Sequence, residues 1–175
     1  PTMSCDEVAK QLTQPGTQAY QSIVDYFGPQ SLHQDHTLNR LYLRQIIFNN
    51  PKEKQWLEDL LHPMIYKHIQ TWHCHQHTAS YHVIDIPLLT AATRDQYQLD
   101  YVCLITCPQD LQIQRIKARD HIDNQLIQQM MAQQIPMTIL QKIADCVIAN
   151  DQNIEAFNMA LQKMHQDIIH LNLPR

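Results

Sequence analysis

The stretch YHVIDIPLLTAATRDQYQLDYVCLITCP, residues 81–108, contains two apolar runs that are each followed closely by a proline. The runs, residues 81–86 and 101–106, are rich in β-branched and aromatic side chains, which is typical of buried parallel strands. The residues between the runs are long enough for a crossover connection, so we expect the two strands to point in the same direction. The stretch therefore predicts an α/β protein with a parallel sheet.

Helical patterns surround this stretch. Apolar residues recur at helical spacing in residues 6–14, 17–27, 39–49, 51–61, 64–72, 109–120, 124–134 and 154–169. We expect His62-Pro63 to interrupt the helix that Pro51 opens, because proline removes a hydrogen bond from a helix interior. Residues 146–149 predict another short strand, and the whole chain, residues 1–175, is expected to form one domain.

The composition excludes several classes of protein. The chain has 175 residues, 44% hydrophobic residues and a formal net charge of -4, so nothing suggests a nucleic-acid partner. No apolar run approaches the roughly 18–20 residues that span a bilayer, and no signal peptide is recognisable. The five cysteines are irregularly spaced, which favours reduced thiols over a disulfide framework. We therefore expect a cytoplasmic protein with no membrane partner.

Seven segments occur in an order and at spacings that resemble the dephospho-coenzyme A kinase family. They are SCDEVAKQLTQPG (4–16), TLNRLYLR (37–44), IFNNP (47–51), LLHP (60–63), IPLL (86–89), QRIKARD (114–120) and ADCVI (144–148). Each segment alone is a weak signal. Their co-linear occurrence over nearly the whole chain carries the resemblance.

The resemblance implies a P-loop NTPase-like fold, with a three-layer parallel sheet, a helical region that binds the substrate and a helical lid. The helical region would be residues 6–80, the core residues 81–113 and 141–175, and the lid residues 114–140. The implied reaction transfers the γ-phosphoryl group of ATP, with Mg²⁺, to the 3′-hydroxyl of dephospho-coenzyme A. This is the last step of coenzyme A synthesis, and the implied partner is that small-molecule substrate.

A glycine-rich phosphate loop, Gly-x-x-x-x-Gly-Lys-[Ser/Thr], is expected in such a kinase. The printed sequence has only Gly16 and Gly28, and it begins at Pro1 rather than at methionine. We therefore expect a strand and a phosphate loop ahead of Pro1. The alternative is that the loop has been lost.

Asp6 is the first candidate for the catalytic residue. It matches the second aspartate of the family's Asp-Ala-Asp segment, after a core strand and at the start of a helix. A carboxylate there can accept or orient the proton of the attacking hydroxyl and face a magnesium ion. The alternative is that Asp6 only caps its helix. Lys10 stands one turn later, where the family commonly has arginine, and either binds the substrate or pairs with Asp6 at the surface.

Arg115 and Arg119 lie four residues apart on a predicted helix, so they present two guanidinium groups to one side. The resemblance places them in the lid, where they would bind nucleotide and neutralise developing charge, with Arg119 also a catalytic candidate. The alternative is an ordinary surface pattern.

Four further residues are candidates for substrate binding: Arg44, His62, Pro87 and Leu88. His62 matches the family's His-Pro step, and Arg44 ends a family-like segment. Pro87 and Leu88 follow a strand at the edge where open α/β sheets bind ligands. Structural roles are open for each of them, including helix linkage for His62 and core packing for Leu88.

Two departures from the family leave an alternative function open beside the kinase, which the retained Asp6, His62, Arg115 and Arg119 favour. Thr90, Ala91 and Ala92 stand where the family usually has an acidic residue, and residues 134–142 lack the usual arginine and contain Pro136. The alternative is a non-catalytic or truncated relative that retains a role in binding a coenzyme A-like ligand or a protein.

Histidines and a cysteine gather in one region: His68, His73, Cys74, His75, His77 and His82. Imidazole and thiolate are good zinc ligands, but the spacing fits no standard zinc module. We therefore predict no metal site for this cluster and expect a solvated loop.

Overall fold

A computed structural model describes residues 1–75, 79–120, 122–132 and 134–171. The chain divides into two compact units, Pro1–Pro87 and Leu88–Arg175, each with its own pair of parallel strands. Mixed strands and helices with parallel pairing confirm the predicted α/β class. The finer division into helical region, core and lid stays a prediction.

The amino-terminal unit consists mostly of helices around one parallel strand pair. Its elements are β1 (Thr2–Ser4), α1 (Cys5–Leu12), α2 (Gln18–Phe27), a 3₁₀ turn (Pro29–Ser31), α3 (Arg40–Asn49), α4 (Pro51–Cys74) and β2 (Val83–Asp85). Ile23, Phe27, Leu38 and Leu43 form a buried cluster, against which Trp56 of α4 packs. The stripes of α2 and α3 therefore form the core that their helical spacing predicts.

The predicted interruption at His62-Pro63 is wrong. Helix α4 runs without a break from Pro51 to Cys74, with Pro63 inside it. Proline removes one backbone hydrogen bond, but Ile65 and Ile69 are buried on the following turns, 8% and 1% exposed. Burial of these side chains outweighs the local preference of proline, so packing keeps the helix continuous.

The carboxyl-terminal unit alternates helices and strands. Its elements are α5 (Ala91–Tyr97), β3 (Cys103–Thr106), α6 (Gln109–Asp120), α7 (Asn124–Ala132), α8 (Met137–Ile143), β4 (Cys146–Ala149) and α9 (Ile154–His170). Strands β3 and β4 pair in parallel, with Cys103 opposite Cys146. Pro136 immediately precedes α8, where its lack of an N–H is tolerated. Within the described residues, no helix has the length and apolar character needed to cross a membrane.

Candidate active site

The carboxyl ends of β1 and β2 bring polar side chains together in the amino-terminal unit. The two strands are parallel and Ser4 is paired with Asp85, so both strands end at the same edge. The Ser4 hydroxyl donates a hydrogen bond to a carboxylate oxygen of Asp85 at 3.1 Å. Asp6 follows directly in the first turn of α1. This edge therefore carries two carboxylates and a hydroxyl, and Asp85 is a residue that the sequence analysis missed.

Asp6 is exposed, and its carboxylate is available to a ligand. The residue that precedes α1 in the capping position is Ser4, and Asp6 lies inside the first turn. In the part of the chain that the structure describes, the Asp6 carboxylate makes no ion pair and no side-chain hydrogen bond. Its negative charge still interacts favourably with the dipole of α1. The carboxylate is nevertheless open to a ligand that brings its own donor or cation.

Lys10 lies on α1 one turn beyond Asp6, but its ion-pair partner is Glu7. The Lys10 ammonium lies 3.2 Å from a Glu7 carboxylate oxygen, and the two side chains are 57% and 65% exposed. The surface pair that the sequence analysis considered is therefore formed with a different carboxylate. An ion pair this exposed competes weakly with an incoming anion, because water screens it.

Helix α3 carries two arginines on one face, Arg40 and Arg44, separated by one turn. Arg44 is half-buried and makes no hydrogen bond or ion pair with any described residue. Arg40 donates from Nη2 to the Thr13 hydroxyl at 2.9 Å. The sequence analysis did not single out Arg40. A signal was present, because a cation in the first turn of a helix opposes the helix dipole and needs another reason to be there.

The three remaining candidates for substrate binding, His62, Pro87 and Leu88, are exposed. His62 lies on the surface of α4, and Pro87 begins an exposed turn just after β2. Leu88, the first residue of the next unit, is 55% exposed. Core packing, the alternative considered for Leu88, is therefore not its role here.

In the carboxyl-terminal unit, Arg115 is bound at the carboxyl end of β3 and β4. Its Nη1 atom donates to the backbone carbonyl of Asn150 at 2.9 Å and lies 3.6 Å from the Cys107 sulfur. Cys107 follows β3 and Asn150 follows β4. Arg115 thus stands at the carboxyl edge of this strand pair, held only by uncharged acceptors, a carbonyl and a thiol sulfur.

Arg119 lies one turn beyond Arg115 on α6, and its guanidinium group is hydrogen-bonded to the adjacent Asp120. Its Nε and Nη2 atoms donate to the two carboxylate oxygens of Asp120 at 2.7 and 2.8 Å. The hydrogen bonds to Asp120 and the charge of that carboxylate raise the pKa of Arg119. The side chain is 73% exposed, so Arg119 is a charged group at the surface whose partner an anion can replace.

Asp145, in the ADCVI segment, has a structural role that sequence reasoning did not find. One of its carboxylate oxygens accepts from the backbone N–H of Val102 at 2.7 Å and from Nη2 of Arg94 at 2.8 Å. Arg94 also donates to the carbonyl of Ile143. These bonds join α5, the start of β3 and the start of β4. Thr90, one of the departures from the family, caps α5 by accepting from the backbone N–H of Thr93.

The histidine cluster contains one close pair. The Nδ1 atoms of His73 and His82 lie 2.9 Å apart, and burial followed by the charge of His73 lowers the pKa of His82. His75 bonds instead to the Thr71 carbonyl, and His77 lies outside the described residues. No group of three or more potential ligands within the described ranges could hold a metal ion.

Parallel strands joined through helices make this an α/β protein, and its likeness to solved structures places it in the P-loop NTPase-like class. A solved structure from Thermus thermophilus shares the fold, with a TM-score of 0.74 and 20% identity over 95% of this chain and 84% of that one. The dephospho-CoA kinase of Campylobacter jejuni has a TM-score of 0.65 and 25% identity, covering 98% of this chain and 86% of that chain.

Sequence comparison gives the family. The family model described as dephospho-CoA kinase matches residues 1–156. The dephospho-CoA kinase of Coxiella burnetii is 38% identical over 165 residues, 94% of this chain and 82% of the relative, and that of Blochmanniella pennsylvanica is 35% identical over 168 residues, 95% and 79%. The chain therefore belongs to the dephospho-CoA kinase family, as the resemblance of its seven segments implied.

Proposed function

We propose that this protein transfers the γ-phosphoryl group of ATP to the ribose 3′-hydroxyl of dephospho-coenzyme A, the last step of coenzyme A synthesis. Membership of a family of ATP-dependent phosphotransferases supports the reaction class. The observation that carries the proposal is the uncommitted Asp6 carboxylate at the carboxyl end of the first strand pair. Asp6 is the group with which the chain would receive the attacking hydroxyl.

Phosphoryl transfer demands positioning and charge stabilisation more than covalent chemistry from the protein. Asp6 accepts a hydrogen bond from the 3′-hydroxyl, orients its oxygen towards the γ-phosphorus and receives the proton as the new bond forms. Its first-turn position fixes the carboxylate on a helix rather than on a loop. As the proton acceptor, Asp6 is the residue whose loss should reduce turnover most.

The other candidate residues bind the rest of the acceptor substrate and the nucleotide. Lys10 and Arg44 attract the anionic part of the acceptor, and His62, Pro87 and Leu88 contact its neutral part. Arg115 and Arg119, exposed on α6, bind the nucleotide phosphates and neutralise charge that develops during transfer. Arg119 exchanges Asp120 for a phosphate oxygen when ATP is bound.

A magnesium ion fits the donors at the carboxyl end of β1 and β2. Mg²⁺ is usually bound by one or two carboxylates together with phosphate oxygens and water, not by a full protein cage. Asp6 and Asp85 are the two carboxylates at this edge. Mg²⁺ held there together with ATP would neutralise part of the phosphate charge. We also propose a cytoplasmic location, which the irregular spacing of the five cysteines supports, because it favours reduced thiols.

The test is direct assay of the full-length protein with ATP, Mg²⁺ and dephospho-coenzyme A. We expect a product heavier by one phosphoryl group, and ³¹P NMR should place the new group on the 3′-oxygen. The 3′-deoxy analogue of the acceptor is the matched negative control. A folded protein that binds the acceptor and yields no phosphorylated product would contradict the proposal and favour the non-catalytic alternative.

A further inference from the structure

A cavity in the amino-terminal unit lies between the end of α1 and the start of α3. Its volume is about 310 Å³, and its lining includes Thr13, Gln14, His33, Thr37, Arg40 and Leu41. That volume is at the lower end of the range for small-molecule sites. Among these residues the charged and titratable side chains are basic, Arg40 and His33. We refer to this site as the Arg40 cavity.

The guanidinium group of Arg40 is oriented by a buried partner. Its Nη2 atom donates to the hydroxyl of Thr13 at 2.9 Å, and Thr13 is 4% exposed. The Thr13 hydroxyl in turn donates to the carbonyl of Ala9 at 2.7 Å, so its own position is fixed. Arg40 has five N–H donors, and no carboxylate within the described ranges pairs with it. An oriented guanidinium with open donors suits a phosphate group.

The loop that contributes His33 and Thr37 to the Arg40 cavity is held by hydrogen bonds of its own and by one from Tyr20 of α2. The backbone N–H of His33 donates to the Thr37 carbonyl at 2.8 Å, and the Tyr20 hydroxyl donates to the His36 carbonyl at 2.6 Å. The loop's carboxylate, Asp35, accepts from both the N–H and the hydroxyl of Thr37, at 3.0 and 2.6 Å. Asp35 is therefore engaged by its own loop and is not among the lining residues.

The position of the Arg40 cavity relative to Asp6 is set by helix α1. Seven residues separate Asp6 from Thr13, which corresponds to about 10 Å along a helix that rises 1.5 Å per residue. In dephospho-coenzyme A the reacting 3′-hydroxyl and the 5′-diphosphate are carried by the same ribose. A cation at this distance from Asp6 is therefore placed for the diphosphate and not for the reacting oxygen.

From this geometry we propose that the Arg40 cavity binds the diphosphate group of the acceptor substrate, with Arg40 in direct contact with it and with Lys10 and Arg44 attracting the same group from outside the cavity. The inference rests on the proposed function, because it assumes that the acceptor's hydroxyl lies at Asp6. It assigns to Arg40 a specificity role, the recognition of acceptors that carry a diphosphate over plain nucleosides.

The test uses full-length Arg40→Gln protein, with Lys52→Gln as the control that removes an equal charge from the exposed surface of α4. For Arg40→Gln we expect the KM for dephospho-coenzyme A to rise about 10- to 100-fold, the effect of losing a hydrogen bond to a charged group. The KM for ATP and the kcat should change less than threefold. Arg40→Lys should recover only part of the affinity, because lysine keeps the positive charge but cannot donate two parallel hydrogen bonds to a phosphate group.

A second arm measures binding without turnover. Titration calorimetry with dephospho-coenzyme A should show the same 10- to 100-fold loss for Arg40→Gln, and titration with adenosine should show no difference between variant and parent. Equal losses for both ligands, or unchanged affinity for dephospho-coenzyme A, would overturn the inference. If Arg40→Gln does not fold, the same comparison is made with Arg40→Lys. Acceptor binding through Arg40 without turnover would contradict the proposed function and leave the Arg40 cavity assignment in place.

Discussion

The two strand pairs of this protein have the same parallel arrangement but use their polar residues differently. At the carboxyl end of β1 and β2, Asp6 has no partner in the described chain, and Asp85 is bound only by a hydroxyl. In the β3 and β4 region, Asp145 is held by Arg94 and by the Val102 N–H. We therefore infer that one family-like aspartate serves catalysis, as proposed for Asp6, and that the other, Asp145, serves folding. Its hydrogen-bond partners distinguish the two roles.

The largest expected effect is on turnover, in the amino-terminal unit. Asp6→Asn keeps the shape of the side chain and removes the proton acceptor, so we expect kcat to fall about 10²- to 10⁴-fold. The free energy of unfolding should change by less than about 0.5 kcal/mol, because the carboxylate is exposed. Steady-state kinetics and urea unfolding check the two values. Asp25→Asn, an exposed carboxylate on α2, is the matched control and should retain full turnover.

The opposite pattern is expected for Asp145→Ala. The change leaves the Val102 N–H and the Arg94 guanidinium without their acceptor, which should lower the free energy of unfolding by about 2–3 kcal/mol. Turnover per folded molecule should stay within threefold of the parent. Asp145→Asn keeps an acceptor for Val102 and should lose about half as much. Unfolding in urea measures the difference. Equal free energies of unfolding for Asp145→Ala and the parent would contradict a structural role for Asp145.

A smaller effect is expected for Pro63→Ala, which tests why α4 is continuous. Proline is about 3 kcal/mol less favourable than alanine in a helix interior, and part of this is offset by the freer unfolded chain. We expect the free energy of unfolding to rise by about 1–2 kcal/mol. Pro51→Ala is the control, since proline is favourable in the first turn of a helix, and it should give no gain. A loss of stability in Pro63→Ala would mean that the helix needs the proline.

The smallest effects concern pH, and they should have opposite signs in the two units. Burial and the charge of His73 lower the pKa of His82 from 6.5, so the unfolded chain binds more protons in acid. Stability of the amino-terminal unit should therefore fall as the pH drops below about 6.5. Burial, followed by the hydrogen bond with Cys146, raises the pKa of Cys103 from 9.0 to about 12. Stability of the carboxyl-terminal unit should fall as the pH rises from about 9 towards 12.

Spectroscopic probes separate these two transitions. Both tryptophans, Trp56 and Trp72, lie on α4, and the Trp72 ring is 5.5 Å from that of His82. Tryptophan fluorescence therefore reports acid effects on the amino-terminal unit. Slow alkylation of Cys103 at pH 8, compared with the exposed Cys74, reports the raised thiol pKa. Fast alkylation of native Cys103 would contradict the assigned direction.

Much of the fold follows from sequence periodicity, but the shortest elements do not. The strand at residues 146–149 and the helix at residues 109–120 have the predicted bounds. Helix α5 was missed because it has only seven residues, AATRDQY, in which no apolar residue recurs at helical spacing. Strand β1 has three residues, too few for an alternating pattern. The break at Pro63 was wrong because a local preference was outweighed by burial on the following turns.

The site was predicted only in part, for a similar reason. Asp6, Arg115 and Arg119 were found through segments that resemble a family, and their roles stay predictions. Asp85 gains its place from the register that pairs it with Ser4, and Arg40 from a contact with a residue 27 positions earlier. Both relations are long-range contacts that the spacing of residues along the chain does not reveal.

The most direct test of these two roles is the single-turnover rate of phosphoryl transfer, measured with enzyme in excess over dephospho-coenzyme A, with ATP saturating and with every variant folded. We predict a rate for Asp6→Asn about 10²- to 10⁴-fold below that of the parent, and a rate for Asp145→Ala within threefold of it. A parent-like rate for Asp6→Asn, or a comparable loss in folded Asp145→Ala, would contradict the account.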